Sequence, residues 1–257
     1  MIVLIVRPAP SCFELVNSLN QAGIKAQPAP LLSFSEGRDL PTLSATLQAL
    51  PKSSIVVAIS PRAVVYAISY LRDLKISWRI DLHYVAIGKK TAITWQEESD
   101  VHAYQPPLED SESILSMPLF SDPNSLSVLI LRGNGGRALL GDTLQSNGAH
   151  IHYLEAYQRH WQSDNLSFLA SQWRKQNIDT LVITSGGQLT FLCQTISECN
   201  QQWLRQCHIL VPSKRIYNQA IDLGFHNIIC VNSASNSTIF HILCKMNNSR
   251  HSYDRQE

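Results

Sequence analysis

A chain of 257 residues is long enough for one large domain or for two small domains that each bury a core. Hydrophobic residues make up 44% of it and charged residues 16%, which excludes a disordered or fibrous protein. The 21 Lys and Arg residues nearly balance the 20 Asp and Glu residues, and no apolar run reaches the roughly 18 residues of a membrane span. We therefore expect a soluble, cytoplasmic protein that binds neither nucleic acid nor membrane.

Short apolar runs rich in Val and Ile alternate along the chain with amphipathic stretches of helix length. The runs predicted to be buried strands are Ile2–Val6, Ile55–Ile59, His83–Ile87, Ser127–Leu131, Thr180–Thr184, His208–Val211 and Ile228–Val231. The stretches predicted to be helices are Ser11–Ala22, Pro61–Leu71, Lys89–Glu98, Gly136–Asn147, Gly187–Thr195 and Ser213–Leu223. Runs that are apolar throughout are typical of strands covered on both faces, and strand–helix alternation predicts an α/β fold with parallel sheets.

The ends of the predicted helices and of the chain carry their own signals. Gly23, Gly148 and Gly224 each follow a predicted helix, where a residue in the left-handed conformation is expected. The last segment, Asn247–Glu257, is polar, and we expect it to fray.

The sequence repeats weakly at an offset of 125 residues. This offset places Val3–Arg7 on Val128–Arg132 and Gly23 on Gly148. It also places the strand end at Ile59-Ser60 over Thr184-Ser185, and one further residue of slippage aligns Tyr84–Thr91 with His208–Arg215. A common offset over three segments predicts two homologous α/β halves.

The six cysteines are Cys12, Cys193, Cys199, Cys207, Cys230 and Cys244. None forms a C-x-x-C pair, and their spacings match no common zinc module. We expect reduced thiols and no metal site.

Polar residues follow the predicted strands at five strand–helix junctions. These junctions are Arg7-Pro8, Ser60–Arg62, Gly88–Thr91, Arg132–Arg137 and Thr184–Gly187. The carboxyl ends of parallel strands meet at one edge of a sheet, and the N–H groups that begin the following helices attract anions. Taken singly, Ser60, Thr184 and Ser213 are explained as helix N-caps. Together, the junctions favour a cleft that holds an anion.

Other chemistries are weakly supported. Gly133–Ala138 fits the loose dinucleotide pattern G-x-G-x-x-A, with Glu155 near the position of a ribose-binding acid, but no further cofactor signature follows. No G-x-S-x-G, H-E-x-x-H or Walker A motif occurs. His150, His152 and His160 are more simply surface histidines than metal ligands.

Six short motifs in a fixed order carry a family resemblance. They are Val6-Arg7-Pro8, Ala58–Val64, Ala86-Ile87-Gly88 with Thr91-Ala92, Leu131–Asn134, Tyr157-Gln158-Arg159 and Thr184-Ser185-Gly186. From about Ile2 to Leu243 the chain resembles the uroporphyrinogen-III synthase family. The resemblance implies a lyase of haem and other tetrapyrrole biosynthesis that dehydrates hydroxymethylbilane and closes it, with ring D inverted, to uroporphyrinogen III, without metal or organic cofactor.

The resemblance also implies an architecture of two parallel-sheet α/β domains joined by a two-stranded linker, one domain being discontinuous. Here the discontinuous domain would comprise residues 1–32 and 162–257, and the other residues 37–155. The links would be residues 33–36 and 156–161.

The same resemblance assigns roles to individual residues. Tyr157 would assist the departure of the substrate hydroxyl as water by donating a proton, directly or through one water molecule. The alternative for Tyr157 is an aromatic residue of the linker that only packs against one domain. Backbone N–H groups would bind most substrate carboxylates, supplemented by arginines that include Arg137. The expected substrate-binding residues are Arg7, Ser60, Arg62, Gly88, Thr91, Arg132, Gly133, Asn134, Gly135, Thr184, Ser185, Gly186 and Ser213.

The alternative is a non-catalytic two-domain protein that binds a small polycarboxylate or another anion without turning it over. As a synthase, the chain would act as a monomer on hydroxymethylbilane, with transient contact to the hydroxymethylbilane synthase that makes this labile substrate.

Overall fold

The computed structural model describes residues 1–124, 126–135 and 138–253. Contacts divide the chain into two compact units, which we call the continuous and the discontinuous unit. The continuous unit is Phe34–Arg159, and the discontinuous unit joins Met1–Ser33 to the described residues from His160 onward. No helix in the described part of the chain is both long and apolar enough to cross a membrane.

Strands and helices alternate along the chain as the apolar runs predict. The strands are β1 (Ile2–Ile5), β2 (Lys25–Pro28), β3 (Leu32–Glu36), β4 (Ile55–Ala58), β5 (His83–Ala86), β6 (Ser127–Gly133), β7 (His150–Trp161), β8 (Thr180–Val182), β9 (His208–Val211) and β10 (Ile228–Cys230). The helices are α1 (Ser11–Gln21), α2 (Leu43–Ala49), α3 (Pro61–Asp73), α4 (Lys89–Ser99), α5 (Ser111–Leu115), α6 (Leu139–Ser146), α7 (Leu166–Lys175), α8 (Gly186–Thr195), α9 (Glu198–Gln206), α10 (Lys214–Asp222) and α11 (Asn236–Tyr253).

Each unit is built on a five-stranded sheet. The discontinuous unit has the order β10-β9-β8-β1-β2, with all neighbours parallel. The continuous unit has the order β3-β7-β6-β4-β5, in which β4 to β7 are parallel and β3 adds an edge that makes the sheet mixed. Strands β3 and β7 also carry the chain from one unit into the other. The narrower limits 33–36 and 156–161 for the links stay a prediction.

The two sheets share one pairing register at an offset of 125 residues. Val3 pairs with Thr180 in one sheet, and Ile55 pairs with Val128 in the other. The pairs Thr180–His208 and Ile55–His83 obey the same offset. The two halves predicted from the sequence therefore share four strands in one order and register, and they differ in the fifth, since β10 lies beside β9 and β3 lies beside β7. The slippage of one residue that the sequence alignment needs around Tyr84 is wrong, because no such shift occurs between β5 and β9.

Both faces of each sheet are buried, which explains the unbroken apolar runs. In the discontinuous unit, Leu4 and Leu181 pack on one face while Val3 and Val182 pack on the other. In the continuous unit, Val56 and Val57 separate in the same way. Side chains alternate between faces along a strand, so each apolar run supplies two cores.

The predicted elements are present, with changes at their ends. Gly23, Gly148 and Gly224 have positive φ, which confirms their helix-ending role. Residues 136 and 137, which the sequence places in the first turn of a helix, lie outside the described residues, and α6 begins at Leu139. The helix α11 continues to Tyr253, and the expectation that the last segment frays stays a prediction.

Candidate active site

The continuous unit holds a cavity of about 470 Å³ at the carboxyl ends of β4, β5 and β6. This is the edge at which open parallel sheets bind ligands. Residues that line the cavity include Ile59, Ser60, Gly133, Gly135, Tyr157 and Arg159. All residues that line it belong to the continuous unit.

A β-bulge aims Tyr157 at this cavity. Arg132 pairs with Glu155, but the next residue, Gly133, pairs with Tyr157, so Ala156 is an extra residue in β7. Ala156 and Tyr157 consequently pack in the same core cluster, although neighbours in a strand normally face opposite ways. The bulge thus places the Tyr157 phenol at the carboxyl end of the sheet, with its ring packed in the core.

The Tyr157 ring is closely surrounded and is only 2% exposed. Tyr66 of α3 stacks on it with ring centroids 6.1 Å apart, and Phe34 lies tilted at 6.0 Å. A Cβ atom added to Gly133 would lie 2.6 Å from the Tyr157 Cζ atom, so this glycine permits the close approach of β6 to the ring. The predicted substrate residue Gly133 therefore has a packing role in this structure.

The Tyr157 hydroxyl accepts two hydrogen bonds. An Arg159 guanidinium N–H donates to its oxygen over 2.8 Å, and the Ser60 hydroxyl donates over 3.4 Å. Ser60 also caps α3 by accepting from the Ala63 N–H. Because a phenol oxygen accepts at most two hydrogen bonds and donates one, its own proton is left for a group in the cavity.

Two guanidinium groups near the phenol form no ion pair with a carboxylate among the described residues. Arg62 lies over the Phe34 ring at 3.4 Å, and burial lowers its pKa, with the nearby Arg159 charge acting in the same direction. Arg159 donates instead to Tyr157. An unpaired and partly desolvated cation is costly, which makes this end of the sheet receptive to an anion.

Asn134 fixes the strand that carries Tyr157. Its side-chain amide donates to the Arg159 carbonyl and accepts from the Arg159 N–H, at 3.2 and 2.9 Å. Its own backbone N–H donates to the Tyr157 carbonyl. The amide of Asn134, which the sequence assigns to the substrate, is thus used in holding β7.

The start of α4 is occupied by a carboxylate of the chain itself. The Glu109 Oε1 atom accepts from the Lys89 N–H at 2.9 Å. A Cβ atom on Gly88 would lie 2.5 Å from the Glu109 carboxyl carbon, so Gly88 makes room for this contact. Thr91 is nearly fully buried in the first turn. The helix start that the sequence predicts to bind a substrate anion does hold a carboxylate, here supplied by Glu109.

In the discontinuous unit, the strand end that corresponds to Ile59-Ser60 is closed by a neutral amide. The Gln188 Oε1 atom accepts from the N–H groups of Thr184 and Ser185 at 2.9 and 3.1 Å. Ser185 in return caps α8 by accepting from the Gln188 N–H, so the two form a capping box. The Gly186 carbonyl accepts from Gln219. The helix cap is Ser185, so the N-cap role considered for Thr184 is wrong.

The remaining predicted residues lie apart from the cavity lining. Arg7 donates to Asn236, and burial lowers its pKa. Ser213 caps α10, and the Arg132 guanidinium lies 4.9 Å from the Tyr153 ring centre. Arg137 lies outside the described residues.

Sequence reasoning did not single out Arg159 or Glu109 as site residues. Alternation in a strand puts residues i and i+2 on one face, and this signal could have paired Arg159 with Tyr157. Glu109 carries no such signal, because 20 residues of chain separate it from the N–H group it accepts from.

The cysteines form no disulfide. Burial raises the pKa of Cys207 to about 12 and also raises that of Cys12. Within the described ranges, no group of three His, Cys, Asp or Glu side chains is arranged to hold a metal ion.

Comparisons with known proteins give one consistent result. The family model described as uroporphyrinogen-III synthase HemD matches residues 14–241. The chain is 36% identical over 245 residues to the uroporphyrinogen-III synthases of Salmonella typhimurium and Escherichia coli, covering 95% of this chain and 100% of each relative. A crystal structure of a mutant uroporphyrinogen III synthase from Thermus thermophilus has the same fold, with a TM-score of 0.72 at 14% identity over 96% of this chain and 99% of that one. The enzyme from Helicobacter pylori gives 0.55 at 15% identity over 95% and 99%.

Proposed function

The chain belongs to the uroporphyrinogen-III synthase family, and from this premise we propose that it removes water from hydroxymethylbilane and closes the macrocycle with ring D inverted, giving uroporphyrinogen III. The observation that carries the proposal is the Tyr157 phenol, whose oxygen accepts from Arg159 and Ser60 and which lines a cavity at the carboxyl ends of the strands.

The first step is a dehydration. The C–O bond of the substrate hydroxymethyl group breaks, its electron pair leaves with the oxygen, and the Tyr157 proton completes a water molecule. The remaining carbon becomes an azafulvene cation stabilised by its pyrrole nitrogen. Arg159 and Ser60 stay as donors to the phenolate oxygen.

The second step is a ring closure in which position decides the product. Ring D attacks the cation through its substituted carbon and forms a spiro centre, which has no hydrogen to lose. The older bond from that carbon to the methylene bridge of ring C then breaks, which restores the ring D pyrrole and leaves a second azafulvene cation on ring C. The free carbon of ring D attacks this second cation, and the proton it releases as the pyrrole rearomatises returns to the phenolate. Holding the bilane so that the substituted carbon reaches the first cation is a task of orientation. The unpaired Arg62 guanidinium offers a partner for a substrate carboxylate at this end of the sheet.

The isomer of the product tests the proposal. Freshly prepared hydroxymethylbilane closes spontaneously to the symmetrical type I isomer, so we expect the protein to yield type III, with a protein-free reaction as the control. Formation of the type I isomer alone, or tight binding without acceleration, would overturn the enzymatic function and favour an anion-binding protein.

We further propose that the chain works as a monomer in the cytoplasm and receives the bilane through transient contact with hydroxymethylbilane synthase. Light scattering at working concentration tests the first point. For the second point, we expect this protein together with hydroxymethylbilane synthase to release less type I isomer than this protein alone. In the second case free bilane is supplied from a syringe at the same rate.

A further inference from the structure

Arg159 lies two residues beyond Tyr157 in β7 and reaches back to it. One guanidinium N–H group donates to the phenol oxygen over 2.8 Å, and the guanidinium carbon lies 5.5 Å from the ring centre. In the described part of the chain, no carboxylate forms an ion pair with this guanidinium. The charge of Arg159 is therefore directed at the phenol.

The backbone of Arg159 is held independently of its side chain. Both its N–H and its carbonyl are hydrogen-bonded to the Asn134 amide. This two-point clamp fixes where the guanidinium starts, and it leaves the side chain, which is exposed, free to be replaced without loss of core packing. Replacing the Arg159 side chain should therefore leave the geometry of β7 unchanged.

We propose that Arg159 is a positioning residue for the proton-transfer step: it holds the Tyr157 oxygen so that the phenol proton points into the cavity, and it stabilises the phenolate once the proton has left. This inference rests on the proposed function. In this step the O–H bond of Tyr157 breaks and the proton joins the departing hydroxyl group. The negative charge left on the phenol oxygen faces the Arg159 guanidinium, which is already in place. A hydrogen bond strengthened only when the oxygen becomes negative favours the transition state over the bound substrate.

The competing role is direct binding of a substrate carboxylate, since a guanidinium has five N–H groups and Tyr157 uses one of them. The two roles differ in which constant they change. A group that binds substrate equally in the ground and transition states raises KM when it is removed, whereas a group that acts in the transition state lowers kcat.

A double-mutant cycle separates these roles. We expect Arg159→Met to lower kcat by about 10- to 100-fold, the range of a hydrogen bond to a charged group, with KM nearly unchanged. In a Tyr157→Phe background, Arg159→Met should cause no further loss, because the group it acts through is gone. Arg159→Lys should recover part of kcat in the wild-type background only. Losses that multiply in the double variant, or a change confined to KM, would overturn the proposal.

A measurement without substrate keeps this inference separate from the proposed function. The carbon-13 resonance of the Tyr157 Cζ atom, assigned by its disappearance in Tyr157→Phe, should shift in Arg159→Met. It should stay in place in Arg38→Met, which removes an exposed arginine of the same unit that pairs with Asp39. An unchanged resonance in Arg159→Met overturns the contact whatever the isomer assay gives, whereas a wild-type protein that yields only type I isomer overturns the function alone.

Discussion

The two units of this protein are built on sheets that share one pairing register but differ at the carboxyl ends of their strands. Their strands pair in one register at an offset of 125 residues, and both faces of each sheet are buried by aliphatic side chains. At the carboxyl ends the likeness stops. The continuous unit has a cavity lined by the phenol of Tyr157 and the guanidinium of Arg159, which forms no ion pair among the described residues, while the strand end after β8 is closed by the amide of Gln188.

This difference separates what builds the fold from what does chemistry. Register and core require only aliphatic residues at alternating positions, and both units meet that need. Chemistry requires polar groups that the fold does not satisfy internally. Gln188 satisfies the backbone N–H groups of its strand end, whereas Arg62 lies over the Phe34 ring and forms no ion pair among the described residues. We therefore expect changes in the continuous unit to alter turnover and matched changes in the discontinuous unit to alter stability.

The largest expected effect is at Tyr157. Tyr157→Phe keeps the ring and removes the proton, so kcat should fall about 100-fold or more while the melting temperature stays close to that of the wild type. Tyr217→Phe is the matched change in the other unit, where a lysine instead of an arginine lies over the ring, 4.1 Å from its centre. Steady-state kinetics with isomer analysis measure both, and equal losses in the two variants would contradict the division between the units.

The next effect is at Gly133. A Cβ atom there would lie 2.6 Å from the Tyr157 Cζ atom, and the buried ring cannot simply move aside. Gly133→Ala should cost about 1–3 kcal/mol of unfolding free energy through overpacking and should also lower kcat. Gly135→Ala is the control, because its Cβ atom would meet nothing within 4 Å. Urea unfolding monitored by circular dichroism decides between them; if both alanines are tolerated alike, the packing role of Gly133 is wrong.

Two helix starts give a smaller pair of effects. Gln188→Ala leaves the N–H groups of Thr184 and Ser185 without their acceptor, which should cost about 1–3 kcal/mol without changing kcat. Glu109→Gln removes a charge from the start of α4, which should cost only about 0.3–1 kcal/mol, and less at high salt. Chemical unfolding at two ionic strengths measures both. A salt-dependent loss in Gln188→Ala would argue against a neutral closure of the discontinuous unit.

The last effect is absent at neutral pH and appears only at alkaline pH. Burial raises the pKa of Tyr84 to about 12, and its hydroxyl donates to the Arg79 carbonyl at 2.7 Å. The unfolded phenol ionises near pH 10, so between about pH 10 and 12 the unfolded state binds fewer protons and unfolding free energy falls as pH rises. Tyr84→Phe should show a shallower decline than the wild type, because only the contributions of other groups whose pKa burial raises, such as Cys207, remain. Unfolding curves from pH 9 to 12 test this, and parallel declines in wild type and variant would contradict it.

The sequence predicted the central strands well because these strands are apolar throughout. It did not indicate β2 or β3, which mix polar and apolar residues at the sheet edges, nor the full length of β7. The helices α2, α5, α7, α9 and α11 were also missed. In α9, for example, six of the nine residues are polar or charged and only two are buried. Edge elements gain their stability from one covered face, which leaves a weaker pattern.

For the site, the importance of Tyr157 came from the family resemblance, and the reason for its orientation came from the structure. A bulge is set by how two strands pair, and Ala156 gives no local sign of it. The neutral closure by Gln188 is local, a serine followed three residues later by glutamine, and could have been predicted as a capping box. The contact of Glu109 with the start of α4 depends on the path of an irregular segment that no periodicity describes.

The pairing of β1 has a consequence for the order of events during synthesis. Val3 pairs on one side with Ala26 and on the other with Thr180, so one edge of the first strand has no partner until most of the chain has been made. Every strand pair within β4 to β7 closes over a shorter stretch, and that sheet can form while the ribosome is still working. Until β8 has been synthesised, the element formed by β1, α1 and β2 has an unpaired, apolar strand edge. Such an edge tends to aggregate or to be bound by chaperones. The residues of β1 are therefore among the last to reach their final neighbours.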